Sequence, residues 1–362
     1  MRRAAGLALL LPLGAAPLTA QQPPARFAAR VDAYVHSEMT RQGLVGLSVA
    51  VMKGGTVVLE RGYGFANLEH QVPATPATVY QSGSLGKQFT AAGIMLLVQD
   101  GKLRLEDSVP RFFPEAPAAW NPVTVRHLLT HTSGAGDYPD DFDYRHDYTE
   151  AEMRALVLSR PFSFAPGSDW QYSNMGYVLL GLIIREVTGG FYGDFLQARI
   201  FRPLGMTTTR IITEADLVPN RAAGYRRVEG VIKNQEWVSP VVNTTADGSL
   251  YLTVRDLARW DAALYGTALL STESLAAIRA PVRLLDGSTR PYGFGWRVGV
   301  ANGHAIMAHG GSWQGFRTAI VRYPDDRLTV AVLANLAGAE PGTIAQGIAA
   351  LWDPALVPLT EQ

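Results

Sequence analysis

Three short clusters in this chain combine residue types and spacings that can do chemistry. Ser84 and Lys87 stand three apart in Gln81-Ser82-Gly83-Ser84-Leu85-Gly86-Lys87, opening an apolar run that ends at Gly101. Three residues is just under one helical turn, so a helix puts both side chains on one face. A serine hydroxyl is a weak nucleophile until a base takes its proton, and a helix N-terminus favours the negative charge that then develops. Lysine is such a base only where a dry, positively biased pocket lowers its pKa, whereas arginine cannot be deprotonated. Of 32 basic residues only four are lysines, at 53, 87, 102 and 233, so a lysine at 87 goes against the habit of the chain. The tetrad alone is better explained by an N-cap serine and an exposed lysine.

The second cluster is Trp170-Gln171-Tyr172-Ser173-Asn174. In an extended segment Tyr172 and Asn174 project to the same side. A phenol there can relay a proton and an amide can bind a carbonyl, although Asn174 also suits a helix cap. The third, His309-Gly310-Gly311-Ser312, follows an apolar strand expected over 305–308. Glycines at a strand edge let another backbone approach closely, as a docked substrate requires; a plain turn is the alternative.

The elements that must position these clusters follow from periodicity. Apolar Phe27, Val31, Tyr34 and Val35 predict an amphipathic helix over 26–42. Strands over 44–53 and 56–64 flank Gly54-Gly55, a two-residue hairpin signal. A second pair over 316–323 and 328–336 flanks Pro324-Asp325-Asp326-Arg327, with a further strand at 305–309 and another over 292–300. A last helix spans 341–352, with Pro in its first turn. The middle reads as helices over 87–100, 123–129, 150–158, 175–187 and 190–200. The fold class is therefore mixed α+β: a central antiparallel sheet built from both chain ends (about 25–83 and 245–362), plus a mostly helical part (about 84–244) within one domain.

Composition narrows the function. The formal charge is zero, with 32 basic against 32 acidic residues, which argues against a nucleic-acid partner that would need a basic stripe. There are no cysteines, excluding disulfide scaffolds, zinc fingers and thiol nucleophiles. At 47% hydrophobic and 18% charged residues, the chain can bury a core of roughly three quarters of its extended surface. Arg2-Arg3, an apolar stretch over 4–16 and Pro17-Leu18-Thr19-Ala20 have the layout of a signal peptide cleaved near Ala20. The expected mature protein is periplasmic or secreted. No membrane span is expected, since the apolar stretch is too short for the ~20 residues a span needs.

In order, and 88 and 137 residues apart, Ser84-Leu85-Gly86-Lys87, Tyr172-Ser173-Asn174 and His309-Gly310-Gly311 resemble the three motifs of the serine β-lactamase and penicillin-binding-protein superfamily. The chain is most similar to the class C-like branch, which also holds D,D-carboxypeptidases, D-aminopeptidases and carboxylesterases. Supporting stretches include 127–134, Phe164-Ala165-Pro166-Gly167, Pro203-Leu204-Gly205-Met206 and Tyr292-Gly293-Phe294-Gly295-Trp296. The resemblance implies an acyl-enzyme on Ser84, with Lys87 and Tyr172 sharing the role of base. It implies an oxyanion hole from the backbone N–H groups of Ser84 and Ser312, and substrate contacts from Asn174, His309, Gly310, Gly311 and Ser312. The substrate would be a small molecule or peptide: an ester, a D-residue peptide or a β-lactam. A non-turnover penicillin-binding sensor that is acylated and stalls is the alternative. One departure bears on substrate, because β-lactamases of this branch usually carry Lys-Thr-Gly as the third motif. An unperturbed His, with pKa about 6.5, is mostly neutral at pH 7.5, and Arg317 is a second candidate for a charge there.

Other sites carry less. His127 and His131 are four apart, but Leu128 stands where a zinc protease of the His-Glu-x-x-His kind has Glu, so no metal is expected. The acidic, aromatic loop 137–144 lacks the ligand spacing of a calcium loop and is expected at the cleft rim. Neither dinucleotide nor P-loop signatures are present, so no cofactor is expected, and nothing in the sequence specifies an oligomer.

Overall fold

In the computed structural model, which describes residues 25–213 and 215–356, the two ends of the chain meet in one seven-stranded sheet. Its strands are β1 (Gly46–Lys53), β2 (Thr56–Asn67), β3 (Val72–Pro73), β4 (Arg297–Ala301), β5 (His304–Trp313), β6 (Phe316–Tyr323) and β7 (Leu328–Ala334). They lie in the order β4-β5-β6-β7-β1-β2-β3, each antiparallel to its neighbours. The expected signal segment 1–20 lies outside the described residues.

Both faces of this sheet are covered, which is why every residue of β7 is buried and all but Thr329 are apolar. The pleat divides the side chains. Leu47, Val49 and Val51 of β1 and Val330 and Val332 of β7 pack with Val31, Val35, Ile344 and Ile348 from helices α1 (Ala25–Gln42) and α9 (Pro341–Trp352). Ala50, Met52, Ala331 and Leu333 point the other way, into the core of the helical part. There the helices are α2 (Lys87–Gln99), α3 (Val125–Leu129), α4 (Glu150–Leu158), α5 (Asn174–Thr188) and α6 (Tyr192–Leu196), close to expectation. The run over 190–200 instead breaks into α6 and a π-turn at Gln197–Phe201.

Two helices were not expected: α7 (Val254–Ala263) and α8 (Thr272–Arg279). For α7 the signal was present, since Thr253 caps it by accepting from the Asp256 N–H at 3.1 Å. It anchors to the sheet through a buried ion pair, Arg322 Nε donating to Asp261 Oδ1 at 2.6 Å, both side chains at most 1% exposed. The strand expected over 292–300 starts only at Arg297, because Gly295 takes φ +72° and turns the chain before it.

Candidate active site

The chain enters the site from the short strand Tyr80–Gln81 through a 3-10 turn, Gly83–Gly86, that runs straight into α2. From Gln81 to Thr90 every residue is buried except Ser84, which is partly exposed. Backbone crowding explains the turn: a Cβ on Gly83, at φ +53°, would stand 2.4 Å from Ser312 N, and one on Gly248 would stand 2.7 Å from Ser84 N. Strand β5 and the segment around Gly248 therefore press on the serine from two sides. Ser82 Oγ donates to the Gly248 carbonyl at 2.7 Å, and Thr318 Oγ1 to the Ser82 carbonyl at 2.5 Å, fixing the turn.

Lys87, the first residue of α2, is fully buried. Its Nζ donates to Ser84 Oγ at 3.1 Å, to Asn174 Oδ1 at 2.7 Å and to the backbone carbonyl of Asp247. The rings of Tyr172 and Tyr177 stand 5.0 and 5.4 Å from it. All three acceptors are neutral, so the ammonium faces dipoles and aromatic rings rather than a carboxylate.

Asn174 is held from both ends. Its Oδ1 takes the lysine, while Nδ2 donates to Asp137 Oδ2 at 2.9 Å and the backbone N–H groups of Asn174 and Met175 donate to Asp137 Oδ1 at 2.9 and 3.1 Å. Asp137 thus sits on the open N-terminus of α5, where the helix dipole favours an anion, and aims the amide that aims the lysine. The cap expected of Asn174 belongs to Ser173, whose Oγ accepts from the Gly176 N–H at 3.1 Å. Tyr172 packs its ring on that of His131, centroids 4.2 Å apart; its hydroxyl is buried without a hydrogen-bond partner. His131 Nδ1 accepts from the Ser173 N–H at 3.1 Å, and burial, with Lys87 nearby, holds the imidazole well below its ordinary pKa. His127 Nδ1 accepts from the Thr124 N–H at 3.2 Å, completing a capping box.

Ser84, Tyr172, Asn174 and Ser312 line a cleft of about 480 Å³ together with Asp247 and Trp313. The third motif, expected just after a strand over 305–308, is instead part of the strand itself. It lies within β5, with Gly311 opposite Thr318 and Ser312 opposite Arg317. The backbone that Gly311 admits is the protein's own, since a Cβ there would stand 1.9 Å from the Ser82 carbonyl oxygen. Gly310, by contrast, is exposed and uncrowded. His309 is buried behind the cleft: Nδ1 donates to the Gly310 carbonyl at 2.7 Å, leaving Nε2 to accept from the Tyr292 hydroxyl at 2.9 Å. Burial pushes its pKa down to about 3, so the imidazole is neutral near pH 7.

Arg317 is half-buried at the cleft, donating from Nη1 to the carbonyls of Phe316 and Trp313 at 3.0 and 3.3 Å. It forms no ion pair among the described residues. Loop residues Tyr138 and Tyr144 line the cleft, as expected of the rim. The sequence reading missed Asp137 as the holder of Asn174, Tyr292 as the partner of His309, and Asp247. Only the first had a local signal, an acid in a loop already assigned to the rim.

Fold and site together define the class: a serine hydrolase of the Ser-x-x-Lys type. Residues 31–351 match the Beta-lactamase family. Over 307 residues the chain is 34% identical to penicillin-binding protein 4* of Bacillus subtilis (strain 168), covering 80% of this chain and 67% of that protein. It is 29% identical over 333 residues to a D-aminopeptidase of Gluconobacter oxydans (strain 621H), covering 90% and 62%. The chain thus spans about two thirds of the length of these curated relatives. Among solved structures, the octameric penicillin-binding protein homologue from Pyrococcus abyssi aligns with a TM-score of 0.79 at 30% identity, covering 90% of this chain and 77% of that one. The D-amino acid amidase from Ochrobactrum anthropi SV3 aligns with a TM-score of 0.78 at 26% identity, covering 92% and 98%. This protein belongs to the Beta-lactamase family, within the serine β-lactamase and penicillin-binding-protein superfamily.

Proposed function

We propose that the protein hydrolyses an amide or ester through an acyl-enzyme on Ser84, and that it does so as an exported, periplasmic or secreted enzyme. The observation that carries the mechanism is the one partly exposed residue of a buried turn, Ser84, with Oγ 3.1 Å from the buried Lys87 Nζ on a cleft wall. With Lys87 in its neutral amine form, Ser84 Oγ attacks the carbonyl carbon while its proton passes to Nζ, with Tyr172 as the second proton carrier. The backbone N–H groups of Ser84 and Ser312 receive the developing oxyanion, a contact worth about 3–4 kcal/mol per donor. The returned proton leaves with the amine or alcohol, and water releases the acyl group. Asn174 keeps one amide hydrogen for the substrate carbonyl, the other being committed to Asp137.

Among substrates, an aminoacyl amide or a D-residue peptide is favoured over an anionic β-lactam. Two of the relatives are named D-aminopeptidase and D-amino acid amidase. The third motif also supplies no cation, since His309 is neutral and its nitrogens are engaged. An anionic substituent would have to meet Arg317. The test is a panel of a nitrophenyl ester, a chromogenic cephalosporin, a D-alanyl-D-alanine peptide and a D-aminoacyl nitroanilide, with Ser84→Ala as control and intact-mass detection of the adduct. Turnover that survives in Ser84→Ala would sink the mechanism, and a stoichiometric adduct without turnover would turn the reading to a stalled penicillin-binding sensor.

A further inference from the structure

Asp247 gives its backbone carbonyl to Lys87, but its carboxylate has no such partner. The residue is 5% exposed, and Oδ1 is buried without any hydrogen bond. Oδ2 meets the Tyr138 hydroxyl at 3.5 Å, the outer limit of a hydrogen bond. Of the neighbouring hydroxyls, Thr245 and Ser249 both donate to the Val242 carbonyl at 3.0 and 3.2 Å, and Thr245 also favours the charged carboxylate, but neither reaches Oδ1. Burial raises the carboxyl's pKa, Lys87 lowers it by charge alone, since its three hydrogen bonds go to Ser84, Asn174 and the Asp247 backbone, and Asp137 repels the charged form. Asp247 is in no ion pair among the described residues. A buried carboxylate in this state is costly unless a cation reaches it.

The cleft can deliver that cation. Asp247 lines it beside Tyr138, Tyr144 and Trp313, aromatic faces that attract an ammonium. Asp247 and Ser84 line the same cleft, so a substrate that acylates Ser84 also passes the carboxylate. The group it would meet is therefore a substituent on the acyl side of the scissile bond. An ammonium brings three donors from one point, enough to satisfy Oδ1 and still reach a second acceptor.

We propose that Asp247 is the specificity residue for a free α-ammonium on the acyl group, making the preferred substrates aminoacyl amides, aminoacyl esters or peptides cleaved next to an unblocked N-terminus. The turnover half of this inference rests on acylation at Ser84; the binding half does not, and the test separates them. Binding of 2-phenylethylamine and of 2-phenylethanol, which differ only in ammonium against hydroxyl, is measured by calorimetry on the Ser84→Ala protein. The amine binds at least tenfold tighter, and the preference disappears in Ser84→Ala/Asp247→Asn. Equal binding of the two probes to Ser84→Ala overturns the assignment, and that comparison needs no substitution at 247. In turnover, kcat/KM is compared for phenylalanine p-nitroanilide, as each enantiomer, and 3-phenylpropionyl p-nitroanilide, which lacks only the amine. Asp247→Asn lowers the amine-to-deaminated ratio about a hundredfold. A ratio that stays constant while both rates fall shows Asp247 acting on the shared machinery and overturns the proposal. Amine-selective binding with no adduct on Ser84 from any substrate would instead overturn the acyl-enzyme reading and leave the ammonium site standing.

Discussion

Among the described residues two basic side chains, Arg322 and Lys87, are completely buried, and their surroundings differ in kind. Arg322 reaches from β6 to α7, where Asp261 meets it at 2.6 Å, Thr329 Oγ1 also donates to Asp261 at 2.7 Å, and the ring of Tyr265 lies 4.8 Å from the guanidinium. Lys87 donates to a serine hydroxyl, an amide oxygen and a peptide carbonyl. A guanidinium cannot give up its proton, so burying it calls for an anion. An amine among neutral acceptors can release and regain a proton without stranding a carboxylate. One site holds a charge, and the other, in the proposed mechanism, lets a proton move.

The largest effect should come from confusing the two. Lys87→Arg keeps the charge but cannot accept a proton, and should lower kcat/KM about 10⁴-fold, roughly 5 kcal/mol, nearly as far as Lys87→Ala. Stopped-flow acylation of Ser84 checks it, and an active Arg variant would show that only charge is needed. In the structural pair the loss should appear in stability instead. Asp261→Ala strands the Arg322 charge and should cost about 3–5 kcal/mol, read as a lower urea midpoint, with kcat per folded molecule retained. An unmoved midpoint would refute the need for an anion.

His309 sharpens the comparison as a third buried base, one kept neutral. Its pKa is 6.5 as the free side chain and about 3 in the fold, so between those values the unfolded chain binds the extra proton. Stability should therefore fall as pH drops from 6.5 toward 3, with one such proton contributing a slope of about 1.4 kcal/mol per pH unit. His309→Gln should flatten the pH dependence of the urea midpoint by that amount; an unchanged slope would mean that the imidazole is not held neutral. The smallest effect is expected at Asp137, which aims Asn174 without touching Lys87. Asp137→Asn removes the anion at the start of α5 and should lower kcat/KM five- to tenfold, about 1 kcal/mol. An equal loss of acylation and deacylation rates is expected, since both use the same amide.

Much of this was legible in the chain. Hairpin signals at Gly54-Gly55 and Pro324–Arg327 gave the four central strands, because a two-sided buried strand announces itself as a Val- and Leu-rich run between turns. Ser84, Lys87, Tyr172 and Asn174 stood out because their spacing is local, within one helical turn or one pleat. What escaped was set by contacts between distant segments. The third motif reads in sequence as following a strand rather than belonging to it, because glycines weaken a strand pattern. Here Gly311 lies inside β5, where the Ser82 backbone comes so close that no side chain fits. The shift of His309 is equally invisible in sequence, since it depends on Tyr292 and on a burial that no neighbouring residue reveals.

By itself, then, the sequence determined which residues could supply a nucleophile and a base, and that a sheet from both chain ends would carry them. Those are properties of side-chain chemistry and of short-range periodicity. Only the tertiary structure decided that Lys87 meets neutral acceptors, that Asp137 holds Asn174, that His309 is neutral and buried, and that Asp247 lines the cleft with one carboxylate oxygen unbonded. Each depends on burial and on charges brought together across as many as 225 residues of chain, from Ser84 to His309, and both are defined only once the packed core has excluded water.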